Sequence, residues 1–249
     1  MGDGPAGEHE ETASLVTAAR FDVGHGYALY QGPSWDTGFH RHAAFQIVAA
    51  VQGEAALVDA SGTRHRAVAL VVPPMVRHRM PVTTELRVFF VEPRCSYADR
   101  LRERCGPGIS AVPELRDLSE DDVRPAGARP SGELDPRLLA AMDELAGGPV
   151  TMPDLARRVE MSPQRLRGLA RSQLGMPLAR WRVWSQLRRA VEALREGRPL
   201  AEAAAAGGFA DQAHLTRWMR EMTGLTPAAV LPVLRARTGA DAARAAPGT

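Results

Sequence analysis

The 249 residues allow one large or two ordinary domains, and 45% hydrophobic with 24% charged residues is a globular composition, neither fibrous nor disordered. The net charge of +2 is unevenly placed. Residues 135–249 carry 17 Arg against 11 acidic residues (net +6), and residues 1–134 carry 14 Arg against 18 (net −4). All the cationic side chains other than histidine are arginine, and the basic C-terminal half suits a polyanionic partner. No run of eighteen apolar residues is present, which excludes an apolar membrane span.

Residues 1–15 are acidic and polar and lack the basic and apolar regions of a signal peptide, so they read as a disordered tail on a cytoplasmic chain. The two cysteines, Cys95 and Cys105, read as free thiols. Residues 16–122 have strand character. The stretch "FQIVAAVQGEAALVDASGTRHRAVALVVPP" breaks short apolar runs at Gly53 and at "DASGT", as expected of a small antiparallel barrel or sandwich. "LRVFFVEP" adds another strand, and "YADRLRERC" and "VPELRDLSEDD" predict short helices. His40 and His42 lie two apart, so on a strand they share a side, and Gln46 has the same parity. "VPPMVRHRM" supplies His78. His9, His25 and His65 read as solvated.

This pattern resembles the two cupin motifs, with His40, His42, Gln46 and Gly53 in the first and Pro73, Met75 at the glycine position and His78 in the second. The resemblance implies a β-barrel sensor and a site for one divalent ion. Gln46 stands where a carboxylate ligand is usual. Three neutral imidazoles and an amide still suit Zn²⁺, Ni²⁺ or Co²⁺. A metal-free pocket for a small molecule, lined by the same residues, stays open beside it.

Asp122 to Pro136, rich in Pro and Gly, marks a linker centred on residues 123–134. From 135 to 236 the chain reads as helices. Asp135 caps the first, with Pro136 at its first position. Leu155, Ala156 and Val159 form an apolar stripe, and Ser162–Pro163 then start a helix facing inward through Leu166, Leu169 and Leu174. A long amphipathic helix follows, with Trp181, Trp184, Leu187, Val191 and Leu194 on one side. The short-helix, turn, helix pattern then recurs around Gly207–Gly208, with Asp211 as cap and Leu215, Trp218 and Met222 as the inward face. Two helix-turn-helix units on one monomer can offer two recognition helices to one face of a duplex. Residues 237–249 read as a second disordered tail.

"GFADQAHLTRWMREMTGLTP", with the matching first unit from Leu155 to Pro177, resembles the DNA-binding domain of AraC/XylS-type transcription regulators. It departs from the family at Ala170 and Trp218–Met219, where phenylalanines are usual, at Ala203, where a bulky aliphatic is usual, and at Gly168, where arginine is usual. The fold expected is α+β and two-domain: an antiparallel cupin-like β-barrel, then an all-α domain with two helix-turn-helix units. The partners expected are double-stranded promoter or operator DNA, a small-molecule or metal effector and a second copy of the chain. The resemblance sets the dimer interface around Tyr97–Arg104 and Pro113–Asp122. Gln212, Ala213 and Thr216 are the candidates for base edges in the second unit, with Gln164, Arg165 and Arg167 in the first. Arg171, Arg217 and Arg220 are expected on phosphates, and His214 either in a structural hydrogen bond or on a base. The alternative function is a metal-dependent cupin enzyme, an oxygenase or isomerase with a helical accessory domain. It lacks the carboxylate ligand and any acid–base pair, and leaves the paired helical units unexplained.

Overall fold

The computed structural model describes residues 19–235, so the tails expected at 1–15 and 237–249 lie outside the described residues. Strands β1 (Arg20–Gly24), β2 (Tyr27–Pro33), β3 (Phe45–Ala50), β4 (Ala55–Asp59), β5 (Arg64–Ala67), β6 (Ala69–Val72), β7 (His78–Arg79) and β8 (Glu85–Val91) come first. Helix α1 (Ser96–Arg104), strand β9 (Ser110–Ala111), a 3-10 turn (Pro113–Leu115) and helix α2 (Glu120–Gly127) complete this half. The strands form two antiparallel sheets, ordered β1-β2-β8-β3-β6-β9 and β5-β4-β7.

β3 is buried at all six positions, because both faces of the larger sheet are covered. Val48, Val88 and Phe90 face one core, which continues into the helical half. Ile47, Phe89 and Val91 face another, closed by Tyr97, Leu101, Val123 and Ala126. The apolar sides of α1 and α2 are therefore spent on their own sheet. The expected single barrel is not what these strands make: among the described residues the two sheets do not close. The outer strand β1 packs instead against helix α9 (Pro227–Arg235).

A linker is expected at 123–134. Its first residues belong to α2, which starts where the Ser119 N–H donates to the Asp122 carboxylate at 2.9 Å. The rest is stitched to α1, with the Ser131 hydroxyl and the Gly132 N–H donating to Asp99 at 2.6 and 2.9 Å. Pro and Gly content gives no sign of these hydrogen bonds.

The second half is helical: α3 (Pro136–Gly147), α4 (Met152–Arg158), α5 (Pro163–Leu174), α6 (Leu178–Arg195), α7 (Leu200–Gly207), α8 (Gln212–Thr223) and α9. Caps fall as expected at Asp135, Ser162 and Asp211, and Thr151 adds another, each accepting a backbone N–H group of its first turn. Trp181 is 1% exposed, and its indole N–H donates to the Met142 carbonyl at 2.9 Å, locking α6 to α3. α6 also joins the halves. Arg188 donates to the buried Glu92 at 2.6 Å and to the Gly24 carbonyl at 2.9 Å, and Arg195 donates to the Val23 carbonyl at 3.0 Å. Among the described residues no helix is long and apolar enough to cross a membrane.

Candidate nucleic-acid interface and histidine cluster

α8 begins at Asp211, whose carboxylate accepts the His214 N–H at 2.7 Å, and ends at Gly224, left-handed at φ 70°. Leu215, Met219 and Met222 are its buried residues. Trp218, expected in the core, is only partly buried, and Met219 takes that place. The reason lies at the helix surface, where the Trp218 indole N–H donates to His214 Nε2 at 2.9 Å and Arg180 lies 5.4 Å above the ring. His214 thus has a hydrogen-bonding role within its own helix. With the core face so set, Gln212, Ala213, Arg217 and Arg220 are exposed and Thr216 is half-buried.

α5 begins at Ser162, which accepts the Arg165 N–H at 3.2 Å. Leu166, Ala170 and Leu174 are buried, so Ala170 fills the place of the bulkier residue usual there. Gln164, Arg165, Arg167, Gly168 and Arg171 are exposed. Elsewhere in this half Arg157, Arg158, Arg180, Arg188 and Arg198 pair with carboxylates. Arg165, Arg167, Arg171, Arg217 and Arg220 have no such partner among the described residues, and that leaves five guanidinium groups on two helices available to phosphates.

In the sheet half, His40, His42, His78 and Gln46 come together from β3, β7 and the segment before β3, and all four are at most 4% exposed. The candidate ligand atoms of the three histidines lie within 4.8 Å of one another. Each Nδ1 meets a backbone carbonyl: Gly38 at 3.1 Å, Ala44 at 2.6 Å and Val76 at 3.0 Å. A carbonyl only accepts, so each Nδ1 carries the proton and each Nε2 presents a lone pair inward. His42 Nε2 and His78 Nε2 face the Gln46 side-chain oxygen at 3.1 and 2.7 Å, while His40 Nε2 has no partner among the described residues. Acceptors therefore meet acceptors. A half-turn of the Gln46 amide would donate to two of the rings and still leave His40 orphaned. A divalent cation would satisfy all of them, so the donor set fits a metal.

Burial favours the neutral rings. It lowers His42 to about 4, with His40 adding to the effect, lowers His78 well below the ordinary imidazole value, and lowers His40 as well. Neutral rings are what metal ligation requires. Met75, at the glycine position of the motif, has φ 65° and donates its N–H to the His42 carbonyl at 2.8 Å. Met75 thus holds the left-handed backbone conformation that favours glycine. Sequence reasoning missed the backbone carbonyls behind the rings. It also missed Thr37 and Phe39, which come close to α8 and belong to no motif.

Residues 155–231 match the family described as "Helix-turn-helix domain". No curated protein matches the chain. Among solved structures it is similar to an apo point variant of ToxT from Vibrio cholerae strain SCE256, at 10% identity and TM-score 0.57, over 86% of this chain and 99% of that one. It is also similar to wild-type ToxT of that strain bound to an unsaturated fatty acid, at 11% identity and TM-score 0.54, over 84% and 95% of the two chains. At these identities the likeness is one of fold.

Proposed function

We propose that this chain, with an AraC-type helix-turn-helix domain at residues 155–231 on a ToxT-like fold, is a DNA-binding transcription regulator whose N-terminal half senses an effector. The observation that carries this reading is that the unpaired arginines of α5 and α8 lie inside the matched segment. In this reading α4–α5 and α7–α8 are two helix-turn-helix units entering successive major grooves, about 34 Å apart. Gln164, Arg165, Arg167, Gln212, Ala213 and Thr216 read bases, and Arg171, Arg217 and Arg220 hold phosphates. The protein acts in the cytoplasm as a homodimer. Because the apolar sides of α1 and α2 are occupied, the second copy meets their exposed faces.

Two sites support sensing. The cupin-like histidine cluster holds one divalent ion through His40, His42 and His78, with Gln46 as the fourth donor, and the ion would fix the spacing of the segments that carry them. Between the halves lies a cleft of about 550 Å³, walled by Tyr30 and Trp35 on one side and Leu225 and Val233 on the other, with Arg220 on its lining. The buried Trp35 Nε1 has no partner among the described residues. An amphipathic carboxylate, the class of the fatty acid in the ToxT structure, meets both the apolar walls and the guanidinium.

The test is binding to labelled upstream DNA. Gln212→Ala is expected to relax preference at one base by about 1–3 kcal/mol, and Arg220→Ala to weaken all sequences alike. Equal loss of preference in both variants counts against this sorting of contacts. Zinc titration of the chelator-treated protein beside His78→Ala tests the metal: about one ion per chain is expected in the first and none at comparable affinity in the second.

A further inference from the structure

The segment between β2 and β3 contributes to more than the histidine cluster. Ser34–Arg41 is stapled to the sensor half. The Asp36 carboxylate pairs with Arg79, Thr37 Oγ1 accepts the Met80 N–H at 3.0 Å, and His40 forms a β-bridge with His78. On its other side it touches α8. The Arg41 N–H donates to the Glu221 carbonyl at 3.4 Å, and a Cβ at Gly224, the cap of α8, would lie 2.5 Å from Thr37. Thr37, Gly38 and Phe39 line one cleft with Gln212, Ala213, Thr216, Arg217 and Arg220. Phe39 is 43% exposed and lies under the Arg77 guanidinium, 4.7 Å from its ring centre.

We infer that this strap is an autoinhibitory contact: in the arrangement described, Phe39 and its neighbours stand where one wall of the DNA major groove must lie against α8. The conflict is steric, and it rests on the reading of α8 as a recognition helix. A helix with its side chains is about 10–12 Å across and the major groove about 12 Å wide, so an inserted helix leaves no room for a second chain segment along its reading face. The strap is held firmly by β7 and the residues after it, and only lightly by α8. Release therefore occurs at the strap–α8 contact, with the strap staying on the sensor. Only the released fraction binds DNA, and the apparent affinity is reduced by that fraction.

Phe39→Ala trims the obstruction at an exposed position and leaves the Asp36, Thr37 and His40 anchors in place. The full-length variant is expected to bind a labelled non-specific duplex at low salt about tenfold more tightly than wild type. Amide hydrogen exchange on wild type supplies a second readout: the Arg41 N–H, bonded to Glu221 in the closed form, is expected to exchange faster once duplex is added. Equal affinities with an unchanged Arg41 rate overturn the strap while leaving the regulator reading intact. Failure of both proteins to bind any duplex overturns the regulator reading and the strap with it.

Discussion

His42 shows how a single residue reports on its surroundings. It is fully buried and held neutral, its pKa lowered to about 4 by burial and by His40. The unfolded chain takes up a proton there near the ordinary value of about 6.5, which the folded chain refuses. The stability contributed by the neutral ring is present above about 6.5 and is lost as pH falls from there towards 4. The denaturation midpoint of the metal-free protein should therefore drop between about pH 7.5 and pH 5, and a midpoint that stays constant would contradict this burial. Gly168 is the second informative residue. It lies within α5, is exposed, and a Cβ there would meet nothing within 4 Å. Gly168→Ala should raise stability by about 1 kcal/mol in thermal unfolding, because glycine costs about that much inside a helix. Gly168→Arg should also tighten duplex binding. The grouping of His40, His42 and His78 was legible from the resemblance to the cupin motifs. The carbonyls that fix their tautomers were not, since Gly38, Ala44 and Val76 contribute only backbone and leave no side-chain signature.

The helices were read best where caps are explicit. Asp135, Ser162 and Asp211 each start a helix at the expected residue. The phase of α8 was harder to read. Trp218 and Met219 are adjacent and both apolar, and periodicity alone put the larger one inside. The hydrogen bond from Trp218 to His214 reverses that order. α2 was hidden by Pro125 and Gly127, and the barrel was overdrawn because strand signals say nothing about closure. The inter-domain clasp on α6 was not legible either, since Glu92 and Arg188 are 96 residues apart. Among the described residues, Arg188→Ala leaves the buried Glu92 carboxylate with only the Trp184 indole N–H, at 3.3 Å. Breaking one side of such a buried pair should destabilise the protein by about 3–5 kcal/mol, read from chemical denaturation. A loss below about 1 kcal/mol would mean that the pair behaves as a surface ion pair.

Across the whole molecule, the charge asymmetry becomes a division of labour. Arginines at the inter-domain surface, Arg94, Arg188 and Arg195, are tied to carboxylates or carbonyls of the partner half. Those on α5 and α8 face outward without carboxylate partners among the described residues. One chain segment, Ser34–Arg41, links the histidine cluster, the inter-domain cleft and the face of α8. In the proposed reading, an effector at the histidine cluster or in the cleft has a short physical route to the face of α8, and it acts only as far as it distinguishes the strapped from the released arrangement. The most direct test of the central claim is the salt dependence of duplex binding by the full-length protein, measured beside Arg220→Ala. Counterion release predicts that log affinity falls linearly with log salt, and that Arg220→Ala lowers the slope by about one. Affinity that ignores salt, or a slope that Arg220→Ala leaves unchanged, would contradict the placing of α8 and its arginines on DNA.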